Sequence, residues 1–424
     1  MILSLRRTFT AAIAAAALLT AALSPASAAA PDSYRIVALG DSVTVGYEPR
    51  EDLINGTTAP YGYADRILEQ ALFRTGSTLA NYAVMGLTTP GLTNLLQGAA
   101  EGRPLQASEL QDFSSFDPRV AGLAGEVAKR TPELAADLAQ ADLVVLTIGG
   151  NDFSPLIQTA VDGQSTASAR QIIQDGFEIR MNDYTKDLDK MMTLLHELAP
   201  RAQVVLADQY LPLFKGHELY PLLLDKVKVL SQALDLFAET MNERGIPLKI
   251  APVSGQFAGN ESAYTYFNVW DQFDIHPKQA GYEAIARAFS EKIWSDGYRT
   301  PAPRAEGVQL SVVINGEEPP SPPVLLRGTT FLALRDVANA VGADLKWNQA
   351  DRTAAFTKNG REVVVTIGSD TVLVDGVARP LREPAYFQQE GKLVKTYVPL
   401  AVVSESLDYQ VVFRKPIMTV FINS

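Results

Sequence analysis

The sequence predicts an α/β fold of three layers, α/β/α, in which a mostly parallel five-stranded sheet carries helices on both faces. A smaller C-terminal α+β repeat domain follows it. Three observations lead there. Short apolar runs alternate with helix-period segments from Tyr34 to about Trp294, the pattern of a parallel sheet covered on both sides. The composition changes at Asp296-Gly-Tyr-Arg-Thr-Pro-Ala-Pro-Arg-Ala-Glu-Gly307, where prolines block regular structure. Beyond it, short β-branched runs recur and one block of pattern repeats.

The strands expected are 35–39, 78–83, 142–148, 203–207 and 248–253, each a run of the length and β-branched content that suits a buried strand. Helices are expected around 62–73, 89–96, 182–198 and 220–242, where apolar residues recur at three- and four-residue spacing. A last helix is expected over about 279–294, announced by Pro277. Segments 97–126 and 153–176 are polar and rich in Gly and Ser, and read as insertions, either lids that shape a substrate crevice or plain surface loops. Past residue 305, Thr330-Phe-Leu-Ala-Leu334 with its following helix-like and strand-like stretches aligns with Thr396-Tyr-Val-Pro-Leu400 and its followers, at an offset of 66 residues. Each copy reads as strand, short helix, strand, and two copies packed together make one domain. The boundaries expected are 1–30 signal peptide, 31–298 α/β domain, 299–306 linker and 307–424 accessory domain.

With 424 residues, 47% hydrophobic and 20% charged, the chain is globular and long enough for more than one core. A net charge of −11, with no dense Lys/Arg stripe, argues against nucleic acid as a partner. Arg6 and Arg7, the apolar run Ala11–Ala22 and Pro25-Ala-Ser-Ala28 form a secretory leader pattern, and no later run is long enough for a membrane anchor. The chain is thus expected to be secreted. It has no cysteine, which removes disulfides and thiolate chemistry. Its three histidines, His196, His217 and His276, are not paired at metal-ligand spacing. Neither a metal nor a cofactor is expected.

Chemistry is read from four loops. Gly40-Asp41 breaks the first strand so that Ser42 sits at its carboxyl end, the ligand side of an open α/β sheet. There its hydroxyl faces the crevice, and its N–H opens a helix toward developing negative charge. Taken alone, Gly-Asp-Ser reads first as an ordinary strand-to-helix turn with Asp41 or Ser42 as its N-cap, and Ser42 needs partners from elsewhere in the chain. Gly86 lies at the turn after the second strand and lets the backbone approach a ligand closely. In Thr147-Ile-Gly-Gly-Asn-Asp-Phe153, Asn151 offers a neutral N–H₂ donor to an oxyanion. His276, in Asp274-Ile-His-Pro277, is the histidine in a loop at the end of the α/β region, suited to take and return the serine proton. Asp274, two residues before it, is the first choice for the carboxylate behind the imidazole.

As a set, Ser42 in Gly-Asp-Ser-Val, Gly86, Asn151 in Gly-Gly-Asn-Asp and His276 in Asp-Ile-His-Pro resemble the SGNH, or GDSL-type, hydrolases over roughly residues 34–295. The resemblance implies a flavodoxin-like sheet, Ser42 as nucleophile, and His276 as general base. It implies an oxyanion hole of the Ser42 N–H, the Gly86 N–H and the Asn151 side chain. In that family the triad carboxylate commonly stands three residues before the histidine, a position held here by Phe273. Asp274, Asp271 or a backbone carbonyl remain open as the partner that orients His276. Thr44 stands where an α/β-hydrolase elbow would carry its second glycine.

The C-terminal part resembles the N-terminal-type domain of copper amine oxidases, through Leu334-Arg-Asp-Val-Ala-Asn-Ala-Val-Gly-Ala343 with Trp347, and Ile367-Gly-Ser369 with Val374-Asp-Gly376. It contains no histidine and so cannot supply an imidazole copper site. The expected function is a secreted serine esterase or lipase that hydrolyses carboxylic esters through an acyl-enzyme. The partner expected is the ester substrate: a lipid, a short-chain ester or an acetylated glycan. Contact with cell wall or polysaccharide would run through 307–424. The alternatives are a deacetylase of acetylated glycans and a non-catalytic surface-binding protein.

Overall fold

The computed structural model describes residues 33–50, 58–161, 165–267 and 274–424. The leader pattern at 1–30 and Asp271 and Phe273 lie outside them. In the first domain the order is β1 (Tyr34–Gly40), α1 (Ser42–Val45), α2 (Tyr63–Leu72), β2 (Ser77–Asn81), α3 (Thr89–Ala100), α4 (Ala107–Leu110), α5 (Pro118–Ala128), α6 (Thr131–Ala139) and β3 (Leu143–Thr147). Next come α7 (Gly150–Val161), α8 (Thr166–Leu198), β4 (Gln203–Ala207), α9 (Tyr220–Glu243), β5 (Leu248–Ala251), α10 (Val253–Phe257), α11 (Glu261–Tyr264) and α12 (Gln279–Ile293). The sheet is all parallel in the order β2-β1-β3-β4-β5. That order reverses direction between β1 and β3, and such a switch point opens a crevice at the carboxyl ends of the strands.

Strand alternation sends each sheet residue to one of two cores. Val37, Leu39, Val144, Leu146, Val204 and Leu206 face one layer with Leu92 and Leu95 of α3, Leu188 and Met191 of α8 and Leu234 of α9. Ile36, Ala38, Leu143, Val145 and Val205 face the other, with Tyr63 and Ile67 of α2 and Ile285 and Phe289 of α12.

The segments expected as loops at 97–126 and 153–176 are largely helical. Asp117 caps α5 by accepting from the Arg119 N–H, with Pro118 in the first turn. Ser165 caps α8, whose first turns bury only Ala169, Ile173 and Phe177. A long helix with one narrow buried stripe has a loop-like composition, and that misled the sequence reading.

The C-terminal region is a separate β-rich domain with several sheets: β6 (Ser311–Ile314), β7 (Val324–Leu326), β8 (Thr329–Ala333), α13 (Leu334–Val341), β9 (Asp344–Asn348), β10 (Thr353–Lys358), β11 (Arg361–Thr366), β12 (Thr371–Val374), β13 (Val377–Pro380), β14 (Tyr386–Glu390), β15 (Leu393–Pro399), α14 (Leu400–Ser406), β16 (Gln410–Arg414) and β17 (Thr419–Asn423). The sheets run β13-β12-β11-β10-β9, β14-β15-β8-β7 and β16-β17-β6. The repeat is visible as β8-α13-β9 and β15-α14-β16, with β8 and β15 paired antiparallel, Val398 opposite Leu332. Asn359-Gly360 and Asp375-Gly376 close two-residue hairpins with both φ positive, the chemistry of primed turns.

The segment expected as an exposed linker is tied down along its length: the Ala302 N–H donates to Glu318, and the Arg304 guanidinium donates to Ser311 Oγ and Ile417 O. The Arg299 guanidinium donates to Phe73 O and to Gly316 O, one carbonyl from each domain, at 2.7 and 2.6 Å. Gln70 Nε2 donates to Arg299 O, and its Oε1 accepts from the Arg299 N–H. Leu72 and Phe73 share an apolar cluster with Val313 and Phe421. Helix α2 therefore turns one face to the sheet and the other to the C-terminal domain.

Candidate active site

Ser42 is the first residue of α1 and is buried. Gly40 adopts φ 121°, and a Cβ there would lie 2.0 Å from Thr147 O, so only glycine lets β1 pass this close to β3. Asp41 then caps α1 by accepting from the Val43 N–H at 3.0 Å, and it also accepts from Thr147 Oγ at 2.8 Å. Thr147 Oγ is bonded to Thr44 Oγ, and Thr44 Oγ to the Tyr63 hydroxyl, each at 2.8 Å. A buried polar chain thus ties the turn at Asp41 to three elements, α1, α2 and β3. Burial pushes the Asp41 carboxyl up to about 6, against the opposing pull of Thr147, the Val43 N–H and His276.

His276 lies in the loop before α12. Its Nε2 is 2.7 Å from Ser42 Oγ, and its Nδ1 is 2.7 Å from Asp274 Oδ1. The same carboxylate oxygen accepts from the His276 backbone N–H at 2.9 Å. This is an Asx-type turn, and it explains how a carboxylate only two residues away reaches the ring. Burial raises the Asp274 carboxyl, but its bonds and attraction to His276 outweigh that and hold it below the ordinary carboxylate range. The loop is clamped: the Tyr210 hydroxyl donates to Ile275 O, the Tyr266 N–H donates to His276 O, and Tyr47 packs edge-on against the imidazole. Tyr266 also donates through its hydroxyl to Glu48, which accepts from Gln279 Nε2 as well.

Gly86 adopts φ 75° in the turn after β2. Asn151 follows β3 at the start of α7, and its Nδ2 donates one proton to Leu87 O at 2.9 Å, which leaves its second proton for a ligand. Asp152 accepts from the Thr89 N–H and Oγ, so the two loops are bonded twice over. Burial also pushes Asp152 up to about 6.

The structure thus brings Ser42, His276 and Asp274 into one hydrogen-bonded line and joins Gly86 and Asn151 through Leu87. His196 sits within α8, and His217 accepts from the Leu219 N–H. Sequence reasoning missed Thr147, Tyr63 and Tyr210, and it saw Thr44 only as a missing glycine. A threonine in α1 and another at the end of β3 carry no local signal; their pairing becomes legible only once β1 and β3 are neighbours. Among the described residues, no group of three or more His, Asp or Glu is arranged to hold a metal ion.

Solved structures similar to the chain include phospholipase A1 from Streptomyces albidoflavus NA297, at 19% identity over 61% of this chain and 99% of that one, with a TM-score of 0.43. The extracellular lipase of Streptomyces rimosus is also 19% identical, over 60% and 98%, with a TM-score of 0.40. The lipase Lip_vut3 from a goat rumen metagenome is 19% identical over 63% and 98%, with a TM-score of 0.38. No curated protein matches the chain. The family described as copper amine oxidase N-terminal domain matches residues 313–422. The family described as GDSL-like lipase/acylhydrolase matches residues 38–284, more than half the chain, and reaches from β1 into α12. With that span covering all the loops assembled above, the chain belongs to the GDSL-like lipase/acylhydrolase family.

Proposed function

We propose that the chain is a secreted serine esterase, hydrolysing carboxylic esters through an acyl-enzyme. The observation that supports this most is the unbroken line Ser42 Oγ, His276 Nε2, His276 Nδ1, Asp274 Oδ1. In this reading Nδ1–H donates to Asp274 and Nε2 accepts the Ser42 proton as Oγ attacks the ester carbonyl. The oxyanion forms among the Ser42 N–H, the Gly86 N–H and the Asn151 amide. His276 returns the proton to the departing alcohol, and water then attacks the acyl-Ser42 ester by the same proton path, releasing the acid. No cofactor enters these steps.

The reading takes 31–298 as the hydrolase domain, 299–306 as linker, 307–424 as an accessory domain and 1–30 as a cleaved leader. Trp347 and Phe387 are exposed, with ring centroids 6.3 Å apart, a pairing that supports polysaccharide contact through 307–424 and acetylated glycan as a second substrate class. The decisive experiment is Ser42→Ala. It should fold normally, lose labelling by an organofluorophosphonate and lose hydrolysis of p-nitrophenyl acetate. Retained turnover would refute the assignment. Comparing acyl-chain length with release of acetate from acetylated polysaccharide then ranks the two substrate classes.

A further inference from the structure

Beyond Gly86 stands the segment joining α3 to α5. Gln111 donates from Nε2 to Gly86 O at 2.8 Å and accepts through Oε1 from the Thr88 N–H and Oγ at 2.9 and 3.0 Å. Asn94 of α3 donates to Leu110 O, which ties the same segment down. Phe116 closes over the glycine: a Cβ on Gly86 would lie 2.5 Å from its ring. That ring is 36% exposed and leans on buried Phe113, centroids 5.9 Å apart. Next to them opens a groove of about 650 Å³, lined by Ala107, Gln111, Phe113, Phe116, Pro118 and Ala121 among others. Its size falls within the roughly 300–1,000 Å³ of small-molecule sites.

We propose that this groove is the acyl subsite and that Phe116 sets the length of acyl chain it takes. The inference rests on the serine-esterase reading. A carbonyl whose oxygen is held at the Gly86 N–H carries its acyl chain past Gly86, and the wall there is Phe116 and Gln111. The occupant is an uncharged hydrocarbon chain. Phe113, Phe116, Pro118 and two alanines supply the apolar half of the wall, uncharged Gln and Ser side chains most of the rest, and the one carboxylate in the lining, Asp112, is kept ionised by donation from the Ser114 N–H and Oγ. It repels acyl groups that end in a carboxylate. Each methylene that enters should raise kcat/KM about fourfold until the groove is full.

The test uses the full-length chain with two ester series. One varies the acyl chain from acetyl to decanoyl on p-nitrophenol; the other varies the alcohol on acetate. Phe116→Ala should move the acyl optimum to longer chains, and Ala121→Trp, which fills the groove, should move it to shorter ones. The alcohol series should keep its rank order in both. An acyl profile unmoved by either variant overturns the proposal, as does a shift confined to the alcohol series. Equal loss across every substrate also overturns it, because Phe116 would then only support the Gly86 turn. Fluorophosphonate labelling at Ser42 separates the two failures: wild-type protein that neither labels nor turns over any ester sinks the esterase reading and the groove with it. Labelled, active protein with a fixed profile sinks the groove alone.

Discussion

The two domains bury polar groups in different settings, and helix α2 takes part in both. On its inner side the Tyr63 hydroxyl ends the buried chain through Thr44 and Thr147 to Asp41, which holds the turn of Ser42. On its outer side Glu69 and Asp65 receive Arg414 from the C-terminal domain, each at 3.0 Å. Asn423 donates to Leu72 O, and Gln410 exchanges two bonds with the Ser77 backbone. The first network fixes the turn of Ser42, the proposed nucleophile; the second joins two surfaces that would otherwise expose Leu72, Phe73, Val313 and Phe421. If that division is right, substitutions in the two places should separate rate from stability.

The largest expected effect is on the joining side. Phe421 is fully buried and meets Phe73 edge-on at 4.9 Å, so Phe421→Ala should cost about 4 kcal/mol of stability. Urea denaturation should register the loss, while kcat under folding conditions stays near that of the parent. A large fall in kcat with unchanged stability would break the division. On the site side, Asn151→Ala should do the reverse, raising the barrier by roughly 3 kcal/mol through loss of one donor of the proposed oxyanion hole. Steady-state kinetics with p-nitrophenyl acetate would record a hundredfold-scale loss, about what that energy predicts, with the denaturation midpoint nearly unchanged.

The pH dependence sharpens the contrast further. Asp41 and Asp152 are each raised by burial from 3.8 to about 6. Between about pH 4 and 6 the unfolded chain ionises these groups while the folded chain keeps them protonated, so folded stability falls as pH rises through that window. Asp274, held below its ordinary value, acts oppositely, its contribution being lost on acidification. Asp41→Asn keeps an oxygen acceptor for Val43 and Thr147 but cannot ionise. Denaturation midpoints measured from pH 4 to 7 should therefore decline less steeply in this variant than in the parent. An unchanged slope would show that Asp41 is not desolvated in the folded state.

Much of the α/β domain was legible because its signals are local. A run such as Leu143-Val-Val-Leu-Thr147 is buried along its whole length, and helices such as α2 and α12 carry their period in the sequence. Ser42, Gly86, Asn151 and His276 stood out because each follows or precedes a break in such a run. The contacts that hold them did not. Thr44 and Thr147 are 103 residues apart, and Gln111 and Gly86 are 25 apart, so no spacing rule could pair them. The hairpin turns Asn359-Gly360 and Asp375-Gly376 were readable in principle from their residue types. The domain interface was not, because half of it comes from each domain.

The smallest effect expected concerns the part of the C-terminal domain outside that interface. Trp347 on β9 is 38% exposed; its ring meets Phe387 edge-on and its Nε1 donates to Gln349. Partial exposure means that Trp347→Ala removes little apolar burial, and an aromatic pair of this kind is worth about 1 kcal/mol. Stability should therefore fall by about that much, far less than for Phe421→Ala, and ester hydrolysis should be unaffected because Trp347 lies on β9, the end strand of the β13-β12-β11-β10-β9 sheet, and not in the apolar cluster that joins the domains. Under the proposed polysaccharide contact, Trp347→Ala should lower retention on insoluble polysaccharide. If Trp347→Ala lowers kcat instead, this sheet communicates with the site, and the division between joining and positioning networks does not hold.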